Sequence, residues 1–436
     1  MNNTSTPDKH LWDYHPDRRA VINEPHARPP QPVSPTDFIV HLGFTCIESD
    51  LIRLIEKLDH TVNYTAPNSF RRHYTRTFEK VRVKLERHTE FVTLTCRAND
   101  SNAHENIYTE LKSLLRDLQV EMIVMTQIIM LDSDQHLQAL MPINDIVYGG
   151  IMRGNMDVRS SLVPNDDGCL VYLVHSKTGT EEEIGRRIQR LLEMETYRTM
   201  CLLGLPAARR CDVELLDLET GVNQVIARMN ADNTDNTDNT DNTDNTDNTE
   251  RYQKLFNTLM QLSQRNNTLL ADTRFRFSAS RAYFALTQQR LDSLEEQKDN
   301  RLQTISGFVR SRLEPGMATI DSVAKRQATL AEDLSNALGL LRTRIDLGLN
   351  QDNQALLKSM NARHRQQVVI AQAVEGLSAV AITYYTIGLL SYAVKGVKSS
   401  LLVSQNIIIA ISVPIVLAGV WSFLHYKRTK WEKEFH

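Results

Sequence analysis

Cysteine is scarce in this chain and never paired by spacing. The five residues Cys46, Cys96, Cys169, Cys201 and Cys211 are scattered over 436 positions with no CxxC. That argues against a disulfide framework or a zinc site and fits reduced thiols in a cytosolic domain. An excess of one charge is also missing: 50 Lys and Arg stand against 53 Asp and Glu, a formal net charge of -3. A nucleic-acid surface needs a basic excess, so nucleic acid is not an expected partner. Catalytic signatures are absent as well. HSKTGTEEEIG has a lysine and a glycine but lacks the spaced glycines and the Gly-Lys-Ser/Thr ending of a phosphate loop. Neither HExxH nor GxSxG occurs. No reaction, cofactor or metal is indicated. The first residues, MNNTSTPDKHLWDY, lack the charged-then-apolar pattern of a signal peptide.

What the chain does have is two apolar runs near its end. Residues 377–394 and 401–424 carry no charged side chain, and the joint KGVKSS separates them. Each run matches a bilayer core of roughly 30 Å crossed at about 1.5 Å per residue. A joint this short predicts a tight transmembrane helical hairpin. Lys358, Arg363 and Arg365 precede the first run, and Lys427, Arg428, Lys430 and Lys433 follow the second, against Lys395 and Lys398 in the joint. The bias of basic residues toward the cytoplasm then places both termini there, with the joint on the far side. Mean hydropathy over the whole chain is -0.35, so the membrane part is a minority.

The N-terminal arm, residues 1–36, contains Pro16, Pro25, Pro29, Pro30, Pro32 and Pro35, which forbid a continuous helix. A short helix over about 17–23 and an extended segment are expected. His15, Glu24, His26 and Arg28 form a candidate polar cluster there, either a metal or anion site or a set of pins for a surface arm.

Residues 37–230 read as an α+β domain with a mainly antiparallel sheet. DFIVHLGFTC is a strand and ESDLIRLIEKLD an amphipathic helix with Leu51, Leu54, Ile55 and Leu58 on one face. VRVKLERHTEFVTLTC alternates about a charged tip and predicts a hairpin. A helix over about 106–117 and further strands follow, with VEMIVMTQIIML as one strand or two and PNDDG as a turn. Thr180 with Glu183 forms a capping box before a helix that stops at Gly204-Leu205-Pro206. On it, Glu193, Glu195 and Arg198 are either catalytic carboxylates with a cation or, more simply, exposed ion pairs of Arg190 with Glu193 and Glu195 with Arg198.

The triplet Asp-Asn-Thr repeats without error over 232–249. Lacking any apolar residue, residues 231–250 are expected to be a disordered linker. Residues 251–376 are helix-forming, and Pro315-Gly316 is the expected break between two long antiparallel helices. The second carries Ile320, Val323, Leu330, Leu334, Leu338, Leu341, Ile345, Leu349, Leu356 and Met360, the seam of a coiled coil. A seam of that length calls for a partner, so a homo-oligomer is expected. Residues 377–424 are the hairpin and 425–436 a cytoplasmic tail.

Six blocks in order carry a resemblance: HPDRRAVINEPHARP, ERHTEF, GRRIQRLLEMETYRTMCLLGLPAAR, FRFSASRAYFAL, LLRTRIDLGLNQDNQALLKSMNARHRQQ and VEGLSAVAITYYTIGLLSYAVKG. Together they resemble the bacterial family of membrane-anchored proteins catalogued as domain of unknown function thirty-four twenty-two. The resemblance implies a Gram-negative inner membrane and supplies no activity. The plan is also loosely similar to CorA-type magnesium channels, but YAVKGVKSS stands where those carry Gly-Met-Asn, and a lysine ring repels divalent cations.

Two functional readings lead, ahead of an enzyme using the His15, Glu24, His26 and Arg28 arm or Glu193 and Glu195, which has no motif behind it. One is a membrane-anchored oligomer that binds the bilayer and a cytosolic protein partner. The other is a CorA-like channel lined by Ser378, Tyr385 and Tyr392, seven apart, with Gly388 beside them. The same face also serves helix packing.

Overall fold

Strand side chains alternate across the pleat, and VRVKLER, VTLTCRA and FIVHLGFTC alternate regularly. In a computed structural model these segments sit side by side in a mixed sheet. The structure describes residues 15–23, 30–58, 73–78, 80–100, 102–133, 136–137, 146–235, 245–298, 302–396 and 405–434. Among them the strands are β1 (Phe38–Cys46), β2 (His73–Phe78), β3 (Val81–Arg87), β4 (Val92–Ala98), β5 (Val120–Leu131), β6 (Tyr148–Met152), β7 (Met156–Ser160), β8 (Leu170–Ser176) and β9 (Gln297–Lys298). The helices are α1 (Arg18–Asn23), α2 (Glu48–Leu58), α3 (Ala103–Leu115), α4 (Glu181–Leu202), α5 (Gly204–Asp235), α6 (Asn245–Leu294), α7 (Ile305–Gly396) and α8 (Gln405–Glu434). The architecture is α+β, an N-terminal sheet followed by a long helical region.

The sheet order is β2-β3-β4-β1-β5-β8-β7-β6-β9. The expected hairpin pairs β3 with β4, and β5 is one strand rather than two. All pairings are antiparallel except that of β5 with β8. On one face Val40, Leu42, Phe44, Val83, Leu85, Leu94 and Cys96 meet Leu51, Leu54 and Ile55 of α2 and Ile107 and Leu111 of α3. Each such side chain contributes about 1.5–3 kcal/mol on burial. On the other face Ile128, Tyr172 and Val174 pack with Ile184, Ile188 and Leu191 of α4, Leu291 of α6 and Val309 of α7. The capping box is formed as expected: Thr180 accepts from the Glu183 N–H, and the Glu183 carboxylate accepts from the Thr180 N–H.

The chain forms two compact units, one of Met1–Met229 with Leu259–Asn336, the other of Asn230–Thr258 with Ala337–His436. In the first, α5, α6 and α7 bury Leu215, Leu218, Leu259, Phe277, Ile320, Val323 and Leu330. Arg326 on α7 joins Asp212 and Glu219 on α5. In the second, Leu341 is buried whereas Leu349, Leu356 and Met360 of the same seam are exposed. Helix α7 is long and apolar enough to cross a membrane: its 18-residue window has mean hydropathy 1.4 and is 6% buried. Helix α8 carries a shorter apolar stretch, Ile409–Phe423.

The helical region departs from the sequence reading in two places. The break does not fall at Pro315, which lies inside α7. It falls between Leu294 and Ile305, where β9 pairs with Gly150 and Ile151 at the edge of the sheet. The Glu296 carboxylate then accepts from the backbone N–H groups of Ile305 and Ser306 at 2.8 and 2.7 Å. That cap sets the start of α7, and burial of Val309, Leu313, Met317 and Ile320 on both sides of Pro315 offsets its missing hydrogen bond. The triplet repeat is helical at both ends, within α5 to Asp235 and within α6 from Asn245, and its middle lies outside the described residues.

Replacing Glu296 by alanine removes both capping bonds. We expect a loss of about 1–2 kcal/mol, within the range of N-cap deletions, read as a lower midpoint in thermal unfolding of the first unit. An unchanged midpoint would show that β9 alone sets the break.

Candidate functional site

The residues that alternate away from the α2/α3 core are mostly polar. On β3 they are Arg82, Lys84 and Glu86, on β4 Thr93, Thr95 and Arg97, and on β1 Ile39 and His41. The register sets Lys84 opposite Thr95 and Thr95 opposite His41, a polar row across three strands. A surface sheet would leave that row in water. Here α4 covers it: His41 and Lys84 are 5% exposed and Glu86 8%.

A pocket of about 50 Å³ remains between sheet and helix, room for a few waters. Its walls include Lys84, Glu86, Arg97 and His41 from the sheet, Gly185, Gln189 and Glu193 from α4, and Gln31 from the segment before β1. Gly185 is there because nothing larger fits: a Cβ on it would stand 1.8 Å from the Gln31 carbonyl oxygen. The Val33 N–H donates to the Glu181 carbonyl at 2.9 Å, so the proline-rich segment is strapped across the start of α4.

The hydrogen bonds decide the state of His41. The Thr196 hydroxyl gives its proton to the Leu192 carbonyl at 2.8 Å, so it accepts from His41 Nε2 at 3.0 Å. Nε2 therefore carries the proton, and Nδ1 accepts from Thr95 at 2.8 Å. Burial, with the nearby Lys84 charge, pushes the imidazole down to about 4, so the ring is neutral at pH 7. Around it the charges are paired: Lys84 with Glu86 at 3.1 Å and Arg97 with Asp37 at 3.3 Å. Gln189 donates to Glu193 at 2.8 Å, and Glu193 pairs with Arg290 of α6. Burial holds the Asp37 carboxyl above the usual range.

Further along α4 lies a second cluster, around a buried carboxylate. Glu195 is 0% exposed, accepts from the Tyr172 hydroxyl, and binds Arg198 through Nε at 2.9 Å and Nη2 at 2.6 Å. Burial, then the Glu195 charge, raises the Tyr172 phenol well above its ordinary value. The reading of Glu193, Glu195 and Arg198 as exposed pairs is thus corrected. Glu195 with Arg198 is a buried pair, because α4 lies on the sheet by this face, and Glu193 finds Arg290 rather than Arg190. Glu195 is fully buried and Arg198 partly exposed, and the cluster ties α4 to the sheet through Tyr172.

The other candidates stay apart. His15 is exposed, and its Nδ1 accepts from the Asp17 N–H at 3.2 Å, while Glu24, His26 and Arg28 lie outside the described residues. Among the described residues no group of three His, Cys, Asp or Glu side chains converges for a metal. Ser378, Tyr385, Gly388 and Tyr392 belong to the second unit. Tyr385 and Tyr392 are exposed, Gly388 has open space beside it, and the Ser378 hydroxyl donates to the Val374 carbonyl. Sequence reasoning missed His41, Lys84, Glu86 and Arg97. The period-two alternation marked their face as polar, but nothing local showed that a helix would cover it.

A family profile matches residues 13–431. The chain belongs to the family of proteins of unknown function DUF3422. No curated protein matches it. ERHTEF and GRRIQRLLEMETYR each contribute residues to the pocket, and FRFSASRAYFAL, far away in sequence, contacts both blocks. Glu90 in the first accepts two bonds from Arg276 in the third, at 2.9 and 3.0 Å. Tyr197 in the second stacks on Tyr283 in the third, with centroids 5.9 Å apart.

The neutral His41 gives a pH test. Its folded pKa, about 4, lies below the ordinary value of 6.5, so the unfolded chain takes up a proton first as pH falls. The stability it supports is complete above about pH 6.5 and is lost on descending toward pH 4, by up to about 3 kcal/mol. Asp37, with a raised pKa, works in the opposite direction. His41→Gln is therefore compared with the parent chain: the variant's melting temperature should fall less between pH 7 and pH 4.5. Equal slopes would rule out His41 as the titrating group.

Proposed function

We propose that this protein is a membrane-anchored homo-oligomer of the bacterial inner membrane, held by a two-helix hairpin, with both termini in the cytoplasm and its α+β unit engaging a cytosolic partner. The observation that carries this is the apolar window of α7. Leu377, Tyr385, Leu389 and Tyr392 are each at least 70% exposed, an arrangement that is unfavourable in water and ordinary in lipid. Within the window Thr383 donates to the Ala379 carbonyl and Thr386 to the Ile382 carbonyl, at 2.8 and 2.7 Å, so these hydroxyls are satisfied in lipid as in water. In α8, Ile411, Ile415, Trp421 and Phe423 are exposed, and Trp421 stacks on His425 toward the basic tail, the composition of a membrane–water boundary.

Oligomer formation is proposed from the exposed stretch of the seam, Leu349, Leu356 and Met360, which a second copy covers. For the channel alternative, Ser378 gains no support as a pore-lining group, since its hydroxyl bonds its own helix.

The full chain should sediment with membranes and resist extraction by alkaline carbonate, and release by that wash would overturn the anchor. In detergent its protein mass by light scattering should be a multiple of 49.8 kDa, and Leu356→Glu with Met360→Glu should reduce it toward one copy.

A further inference from the structure

Within the second unit, helix α7 loses its cover partway along. Over residues 337–348 that cover is α6. Arg344 Nη1 donates to the Tyr252 hydroxyl at 3.4 Å, and a Cβ on Gly348 would stand 2.7 Å from Thr249 Oγ1. Ala337 and Leu341 are buried there. Beyond Gly348 the cover ends, because α5 stops at Asp235 and α6 begins at Asn245. Residues 236–244 read NTDNTDNTD and hold no apolar side chain that could take over.

The apolar pattern of α7 continues past that point. From Leu349 it steps by seven through Leu356, Arg363, Ile370 and Leu377, and from Asn353 by seven through Met360, Gln367 and Val374. The two rows interleave at steps of four and three, the a/d repeat of a coiled coil. Their apolar members are 46–77% exposed. What covers them follows from the membrane reading, on which this inference rests. Helix α7 runs unbroken from Ile305 to Gly396, through these rows and into the apolar run. Two copies anchored in one bilayer therefore present α7 in the same direction, and spans at equal depth set each residue against its like. The polar members suit two strands: an asparagine at an a position selects register and strand number, and an arginine stem leans out to water at the rim of the seam. We infer that residues 349–377 form a parallel, in-register, two-stranded coiled coil with a second copy of this chain. Asn353 meets its counterpart, and Leu349, Leu356 and Met360 make the apolar layers around it. The cover of α7 passes from its own α6 to the second copy at Gly348.

The test places single added cysteines in the full chain, in membranes, and oxidises them, with the parent chain as control for its own five thiols. All the positions used are exposed in the single chain, so the substitutions leave its fold intact. Leu356→Cys and Met360→Cys should cross-link into a species of two chains, and Gln354→Cys and Lys358→Cys, on the outer face, should not. In detergent the protein mass should be twice 49.8 kDa. Asn353→Leu should turn that single mass into a mixture with larger assemblies. A mass of one copy overturns this inference together with the oligomer reading beneath it, and release by alkaline carbonate overturns the anchor and the parallel direction with it. A mass of three or more copies, or cross-linking as strong at Gln354 and Lys358 as at Leu356 and Met360, overturns the two-stranded seam alone. An unchanged mass for Asn353→Leu overturns the role given to Asn353.

Discussion

A helix laid over the polar face of a sheet obliges every group beneath it to find a partner there, and the first unit is arranged around that obligation. Helix α4 covers the row Lys84, Thr95 and His41, and it brings the answering groups with it. Thr196 takes the His41 proton, Glu195 takes the Tyr172 hydroxyl, and Arg198 neutralises Glu195 from the next turn. A carboxylate buried this fully is strongly destabilising once a partner is removed, so these contacts fix the seat of α4 rather than add net stability. Glu193 extends the same logic to α6 through Arg290, and Glu90 extends it from the hairpin turn through Arg276. The sheet, α4 and α6 are thereby tied together by partly buried ion pairs.

The pocket is what that seating leaves over. The helix is too narrow to cover the whole polar row, and the segment from Gln31 to Val33 closes the remaining side. At this junction Lys84 pairs with Glu86 and Arg97 with Asp37, while the Gln31 and Gln189 amides each keep one buried atom without a hydrogen bond. The proposed membrane anchor lies in the second unit and follows from a different constraint, in which side-chain hydroxyls bond to their own helix and apolar side chains face outward.

Much of this was legible in residue order. The hairpin at ERHTE, the capping box at Thr180 and Glu183, the helix over 181–202 and the apolar stretch of α7 are local patterns, and each appears as read. Pro315 misled because a proline costs about 3 kcal/mol in a helix interior, an amount that burial on both flanks readily offsets. The true break needed Glu296 and the edge strand β6, which come together only in the folded chain. Glu195 misled for the opposite reason: an i, i+3 spacing looks the same on a wet face and a dry one.

The sequence by itself determined the elements and their periodicities: the strands, the caps, and the charge-free lengths that suit a bilayer. Those depend on neighbours within a few residues, whose geometry the backbone imposes. Only the tertiary structure decided which polar face was buried, that Lys84, Glu86, Arg97 and Gln189 share one pocket, and that Glu193 answers Arg290. These pairings join residues up to about a hundred positions apart. They are set by how α4 packs on the sheet and by the cost of leaving a charge unmatched inside it, and no local pattern carries that information.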